Sequence, residues 1–84
     1  MVYDLTPNDG HKSFYGRAKV IEAGENKLLR SYETIVAYLD KTKKLHRTWE
    51  GWSATTARHV DAFAGRGIRK AEWEKMPVEP VPNY

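Results

Sequence analysis

In residues 49–63, WEGWSATTARHVDAF, the sequence changes from a strand-like to a helical pattern, and this change decides the fold. Ser53 stands where a helix would begin, because its hydroxyl can accept a backbone N–H of the first turn. Gly65 is suited to the left-handed conformation that ends a helix. Between them, side chains recur on one face at spacings of three and four. The pattern predicts an α-helix over residues 54–64 with an inward face of Thr56, Val60, Phe63 and Ala64.

Three strand-like segments precede this helix, each alternating with a period of two residues. The first strand is predicted in SFYGRAKVIEA, which starts at Ser13, and Gly24 and Asn26 predict the turn after it. The longest segment is KLLRSYETIVAYLD, residues 27–40, and it is apolar on both faces. We therefore expect it to be the central strand, covered by the helix and by chain termini or a second subunit. After a charged turn, LHRTWEGW over residues 45–52 predicts the third strand.

These segments predict an α+β fold of order β-β-β-α, a three-stranded antiparallel meander followed by one packed α-helix. The segment GIRKAEWEKM, residues 67–76, adds a short C-terminal helical turn, and the prolines after it predict an extended tail. We expect an irregular lead-in over residues 1–12, a single α+β domain over residues 13–76 and an extended Pro-rich tail over residues 77–84.

Length and composition limit the classes to which the protein can belong. A chain of 84 residues, of which 40% are hydrophobic, can bury one core and no more. No stretch approaches the roughly 20 apolar residues that span a bilayer, and no apolar block follows the amino terminus. The absence of cysteine excludes disulfides and thiolate metal sites, so stability must come from packing or self-association. We expect a cytoplasmic protein with no membrane partner, and a homo-oligomer remains open.

Positive charge is concentrated in residues 41–70, which hold eight Lys or Arg against two acidic residues, although the whole chain carries only +3. This asymmetry favours an anionic partner. The amino end of a helix also attracts phosphate, so Thr55 and Arg58 fit the same partner. We predict that the protein binds nucleic acid through a basic stripe formed by Lys41, Lys43, Lys44, Arg47, Thr55, Arg58, Arg66, Arg69 and Lys70.

Each of these features also has a purely structural interpretation. The run KTKKLHR, residues 41–47, is typical of a solvated hairpin tip that protects an edge strand. In WSATTARH, residues 52–59, Trp52 and Ser53 can fix the helix on the sheet while His59 forms a hydrogen bond at the core margin. The structural and the anion-binding interpretations of this element are compatible with each other.

Catalysis and metal binding have little support in the sequence. The three histidines, His11, His46 and His59, fall on separate elements, and none has a second ligand at the spacing of a metal site. The chain also lacks a nucleophile elbow and a phosphate-binding glycine loop. A single core of this size has little room to enclose a substrate pocket. We expect no enzymatic activity, no catalytic residue, no metal site and no cofactor.

Four segments, spanning roughly residues 13–78, resemble one family: SFYGRAKVIE, LLRSYETIVAYLD, WSATTARHVDAFAGRGI and KAEWEKMPV. It is a family of short uncharacterised proteins from bacteriophages, prophages and gut Firmicutes, a domain of unknown function. The resemblance implies an origin in a mobile element and a small accessory role, without a mechanism. It rests most on Gly16 in FYG, Ser31, Tyr32 and Thr34 in SYET, Trp52, Ser53, Thr55, Thr56, Arg58 and His59 in WSATTARH, and Trp73 in AEW.

The resemblance also makes a second class of function credible, a protein-binding module that inhibits or modulates a host or defence protein. Tyr and Trp are common anchors of protein interfaces. Aromatic residues at strand spacing most often belong to the core, but Tyr15, Tyr32, Tyr38 and Trp49 could instead form a base-stacking platform if one face of the sheet is open. The aromatic residues selected as interface anchors are Tyr32, Tyr38 and Trp49.

Overall fold

Each strand of the sheet pairs antiparallel with its neighbours in chain order, so the sheet is a continuous meander. The computed structural model describes residues 1–7 and 14–83, and these contain five strands and two helices. Neither helix is long and apolar enough to cross a membrane. The elements are β1 (Val2–Asp4), β2 (Ala18–Ala23), β3 (Asn26–Ser31), β4 (Thr34–Leu39), β5 (Leu45–Arg47), α1 (Ala54–Ala64) and α2 (Lys70–Lys75).

The predicted three-stranded meander with one packed helix is wrong, since the described residues form a five-stranded sheet followed by two helices. The first cause lies in residues 27–40, which form β3 and β4 rather than one strand. Ser31 pairs with Thr34, so that Tyr32 and Glu33 make a two-residue loop between the strands. Neither loop residue is a typical turn residue, so nothing in the sequence interrupts the strand-like alternation.

The second cause is β1, which lies within the lead-in expected to be irregular. Asp4 pairs with Lys19 of β2, and a salt bridge of 2.6 Å joins their side chains. A strand of three residues is too short for its alternation to stand out from a neighbouring Pro and Asn. The predicted start of a strand at Ser13, and His11, lie outside the described residues.

The helix predicted over residues 54–64 is confirmed as α1. The Ser53 hydroxyl accepts a hydrogen bond from the Thr56 N–H at 3.1 Å. At the other end, Gly65 has φ of 75° and its N–H donates to the Asp61 carbonyl. The residues that predict the helix from the sequence are therefore the ones that satisfy its ends.

β3 is the central strand of the sheet, and the two-sided burial predicted for the long strand-like segment applies to it. Leu28 and Leu29 are both 0% exposed, and as successive residues of a strand they point to opposite faces. On the face away from α1, Leu28 is paired with Ile21 and Tyr38 of the neighbouring strands. On the α1 face, the core consists of Phe14, Ala18, Val20, Leu29, Val36, Ala37, Val60, Phe63, Ile68 and Trp73.

Arg47 joins the last strand to the segments on either side of α1. Its side chain is only 7% exposed, and the guanidinium lies 5.2 Å from the centroid of the Trp73 ring. The guanidinium donates hydrogen bonds to four backbone carbonyls, two before α1 and two at the end of α2. These acceptors are the carbonyls of Trp49, Glu50, Trp73 and Met76.

We expect Arg47→Lys to lower the free energy of unfolding by about 2 kcal/mol or more, because an ammonium cannot satisfy four separated carbonyls. The matched control is Arg66→Lys, which alters an exposed ion pair and should change stability far less than Arg47→Lys does. Urea denaturation of both variants measures the difference. Equal losses in the two variants would contradict the structural role of Arg47.

The C-terminal segment runs beside β5 and is tied to it by His46. The Glu79 N–H donates to the Arg47 carbonyl at 2.8 Å. His46 bridges two carboxylates, with Nδ1 2.7 Å from Glu79 Oε2 and Nε2 2.8 Å from Asp40 Oδ2. Hydrogen bonding to Asp40, followed by that to Glu79, raises the pKa of His46. The Thr42 hydroxyl and His46 hold the pKa of Asp40 well below its usual range. The tie is therefore strongest with a charged imidazolium between two carboxylates.

We expect the stability advantage of the wild-type protein over His46→Gln to shrink as the pH rises from about 5.5 to about 9. A pKa raised by folding stabilises the protein fully below the unfolded value of about 6.5, and this stabilisation is lost as the pH rises through the folded value. His59 is present in both proteins, so its own titration cancels in the difference. Thermal unfolding across this range is the measurement, and a constant difference would exclude the bridge as a source of stability.

Candidate functional site

A cleft lies beside the first turns of α1, where three distant segments of the chain meet. They are the turn at residues 14–17, the loop between β3 and β4, and residues 55–59 of α1. The segments FYG, SYET and WSATTARH, on which the family resemblance rests, thus converge in space. The cleft has a volume of about 200 Å³ and is lined by Phe14, Tyr15, Arg17, Tyr32, Thr55, Arg58 and His59.

His59 holds the three segments together and is only 1% exposed. Its Nδ1 shares a hydrogen bond of 2.8 Å with the Ser31 hydroxyl, which in turn lies 3.1 Å from the Thr56 hydroxyl. The His59 ring packs edge-on against Phe14, with centroids 4.6 Å apart. Burial, and then the charge of Arg58, lower the pKa of His59, so its imidazole is neutral near pH 7. A neutral imidazole therefore fixes α1 against both β3 and the turn.

The turn at the edge of the cleft presents a tyrosine in an unusual conformation. The Arg17 N–H donates to the Phe14 carbonyl at 3.0 Å, and the two central residues, Tyr15 and Gly16, have φ of 55° and 74°. The Tyr32 N–H donates to the Arg17 carbonyl at 2.7 Å, which anchors the turn to the next loop. Tyr32 also has φ of 55°. Left-handed backbone is unfavourable for a tyrosine, so both aromatic residues are held in place by the surrounding hydrogen bonds.

The charged groups of the cleft are arginines placed against aromatic rings. The Arg17 guanidinium lies 5.9 Å from the centroid of the Tyr32 ring, and the Arg58 guanidinium lies 5.5 Å from that of Phe14. Thr55 is exposed in the first turn of α1, which contains no acidic residue. No carboxylate lines the cleft in the described part of the chain. The arrangement combines positive charge, hydrogen-bond donors and aromatic faces, and is suited to an anion that carries a flat ring.

The hairpin lysines lie at the opposite end of α1, beside an acidic residue as well as a basic one. Lys41, Lys43 and Lys44 are exposed, and the last two border a depression beside the last turn of α1. Arg66 borders it as well, and donates hydrogen bonds of 2.8 and 3.2 Å to the Glu72 carboxylate. These hydrogen bonds are the main cause of the lowered pKa of Glu72. Positive charge at this end is therefore partly neutralised.

The residues of the predicted basic stripe do not form one continuous surface. Thr55 and Arg58 border the cleft, and α1 separates them from the hairpin by about 15 Å. Arg47 is turned into the protein, where its donors are taken up by backbone carbonyls. Arg69 and Lys70 are exposed at the start of α2. The structure thus divides the stripe into a cleft group, a hairpin group, an exposed pair at the start of α2 and a buried arginine.

The aromatic residues selected as interface anchors also have different environments. Tyr32 is 47% exposed at the cleft. Tyr38 stacks on His46, with ring centroids 4.4 Å apart. Trp49 is half-buried and packs against the core. Only the first of the three therefore belongs to the cleft.

Sequence reasoning missed Arg17 of the cleft, and it considered Tyr15 only as one of the aromatic residues that could form a base-stacking platform. Tyr15 lies in the segment predicted as a strand, and Arg17 lies outside the basic stretch of residues 41–70. The pair Tyr15-Gly16 was the available signal, because a glycine within a strand-like run can mark a tight turn. That signal indicates a turn and gives no indication of which other segments face it.

The comparison with known families assigns the chain to one of them. Residues 3–77 match a family described as a family of unknown function (DUF8033), and the chain belongs to this family. The expected membership of an uncharacterised family is therefore confirmed. No curated protein and no solved structure matches the chain. Within the described residues, no group of His, Asp and Glu side chains is placed to hold a metal ion.

We expect Tyr15→Asn to raise the free energy of unfolding by about 1 kcal/mol, because asparagine tolerates left-handed backbone and the 83% exposed ring contributes little burial. The control is Tyr3→Asn, which changes a tyrosine of β1 that lacks positive φ and should not stabilise the protein. Urea denaturation compares the two. A loss of stability in Tyr15→Asn would show that the tyrosine is needed for folding.

Proposed function

We propose that this protein binds nucleic acid and that the cleft beside α1 is where phosphate groups are held. The observation that carries the proposal is the lining of the cleft, where Arg17, Arg58 and the exposed Thr55 border the same space. Phosphate contacts supply most of the affinity of proteins for nucleic acid. A guanidinium group suits phosphate because it offers a planar fork of N–H donors.

The amino end of α1 supports the same type of ligand. Thr55 places an exposed hydroxyl in the first turn, beside the positive end of the helix dipole. The Ser53 hydroxyl already accepts the Thr56 N–H, so the cap itself is occupied by the protein. The proposed contribution of the helix is therefore electrostatic, and the direct contacts fall to the two arginines and to the Thr55 hydroxyl.

The β4–β5 hairpin is proposed as an auxiliary contact surface. Lys41, Lys43 and Lys44 are exposed there, as a backbone-binding role requires. Asp40 and Glu72 border the same surface, however, and reduce the positive potential around it. We therefore assign the main phosphate contacts to the cleft and a smaller contribution to the hairpin.

The setting of this function is also part of the proposal. The sequence resemblance supports a small non-enzymatic accessory protein of a phage or prophage. The lack of cysteine is in keeping with a reducing cytoplasm, where nucleic acid is an abundant anionic partner. Family membership is compatible with this setting and is equally compatible with others.

A second candidate function, a protein-binding module, is favoured by one observation. Tyr15 and Tyr32 are 83% and 47% exposed, and tyrosine is enriched at protein interfaces. Such an interface would act on a host or defence protein and would depend little on salt, whereas phosphate contacts depend on it steeply. Salt dependence therefore separates the two candidates.

We expect fluorescently labelled DNA or RNA to bind at about 50 mM salt and to bind at least about tenfold more weakly at about 200 mM salt. Arg17→Glu should weaken binding by about tenfold or more, because it places a carboxylate among the phosphate contacts. Lys43→Glu should have a smaller effect. Anisotropy titrations with single- and double-stranded oligonucleotides measure these affinities.

The matched control is Lys75→Glu, which makes the same change of charge at an exposed position of α2 away from the cleft. It should weaken binding by about twofold or less. Arg58→Gln tests the second arginine with a smaller change of charge. Absence of binding to every oligonucleotide at low salt, or equal effects of Arg17→Glu and Lys75→Glu, would refute the proposal.

A further inference from the structure

We infer that the nucleic acid held in this cleft is single-stranded, with one unpaired base stacked on the ring of Tyr15 and its phosphate beside Arg17 and Arg58. The inference rests on the proposed function and names the class of ligand. It follows from the exposure of the Tyr15 ring, from the rigidity of the turn that carries it, and from the shape of α1.

Most of the surface of Tyr15 can be reached by a ligand, because this residue is 83% exposed and lines the cleft with the arginines. Large exposed aromatic rings are unfavourable in water, and unpaired bases are common partners that cover them. Tyr15 also occupies a backbone conformation that a smaller or more flexible residue would adopt at lower cost.

The turn that carries Tyr15 is fixed on both sides. One hydrogen bond closes the turn between Arg17 and Phe14, and another joins Arg17 to Tyr32. Phe14 is itself 5% exposed and packs against His59. The ring therefore extends from a rigid base, which reduces the conformational entropy lost when a ligand binds.

Tyr32 provides a more restricted second aromatic surface. The Arg17 guanidinium lies 5.9 Å from the centroid of its ring, and the His59 ring lies 5.8 Å away. These neighbours leave the tyrosine 47% exposed. We therefore assign the main stacking contact to Tyr15 and a bordering contact to Tyr32.

The geometry disfavours a duplex as the ligand. Reading a duplex requires a helix or ribbon that enters a groove. The side of α1 away from the sheet carries Arg58 and also the carboxylate of Asp61, so it is a poor match to the phosphates that border a groove. In a duplex the bases are stacked on each other and cannot reach Tyr15.

Few groups in the cleft could read the edge of a base. The two arginines, which could read a guanine, are assigned to phosphate. The Thr55 hydroxyl and the tyrosine hydroxyls are the other candidates, and no Asn, Gln, Asp or Glu lines the cleft within the described residues. Stacking tolerates every base, because each has an aromatic face. Binding should therefore be largely independent of sequence.

The experiment uses the full chain and three labelled probes of about 15 nucleotides: a thymidine single strand, the matching duplex and an abasic strand with the same phosphates. We expect the thymidine strand to bind at least about tenfold more tightly than the duplex. It should also bind at least about fivefold more tightly than the abasic strand. Tyr15→Leu should weaken binding of the thymidine strand by about fivefold or more while leaving the abasic strand unaffected.

Three variants serve as controls. Tyr15→Phe keeps the ring and should bind like the wild type. Tyr15→Asn suits the backbone of the turn and should still lose binding of the thymidine strand, which separates stacking from folding. Tyr3→Leu removes an exposed tyrosine elsewhere and should have no effect.

Several results would overturn the inference: equal or tighter binding of the duplex, equal binding of the abasic strand, or equal effects of Tyr15→Leu and Tyr3→Leu. In those cases a remaining effect of Arg17→Glu would leave the proposed function intact. If no probe binds at low salt, the proposed function fails together with the inference. A tyrosine-dependent interaction with protein but with none of the probes would favour the protein-binding module.

Discussion

The hydrogen bond between Ser31 and His59 is the interaction on which the arrangement of the cleft depends. Both side chains are buried, so neither can exchange its partner for water without a large loss of stability. Ser31 ends β3 and precedes the loop at Tyr32, while His59 follows Arg58 on α1. One buried contact thus sets the position of the helix on the sheet. The same contact brings Arg58 of the helix to the cleft that Tyr32 of the loop also lines.

Backbone strain is the second constraint, and it coincides with the cleft. Tyr15 and Tyr32 both have φ of 55°, in two separate loops that converge at the cleft. Such conformations are unfavourable for residues other than glycine, so the surrounding structure must stabilise them; a third, Lys43 with φ of 65°, lies in the β4–β5 hairpin. Neither tyrosine contributes much to the core, since both rings are exposed. Both residues are therefore presented at the surface of the cleft and not packed in the core.

The arginines of this chain have different roles, and their positions along the sequence do not show which role each one has. Arg47 lies in the middle of the basic stretch, yet its guanidinium links β5 to the segments around both helices. Arg66 is balanced by Glu72, whereas Arg17 lies outside the stretch and borders a cleft that no carboxylate of residues 1–7 or 14–83 lines. The density of Lys and Arg along a sequence therefore indicates an anionic partner better than it indicates where that partner binds.

The sequence alone determined the elements whose signals are local. The helix over residues 54–64 is bounded by Ser53 and Gly65, which satisfy backbone groups within one turn, and two-sided burial follows from adjacent leucines in β3. Only the tertiary structure decided the division of residues 27–40 into two strands, because the loop at Tyr32 contains no typical turn residue and its conformation depends on contacts with distant segments. The cleft was decided in the same way: its residues come from three separate segments, and a buried imidazole determines their distances.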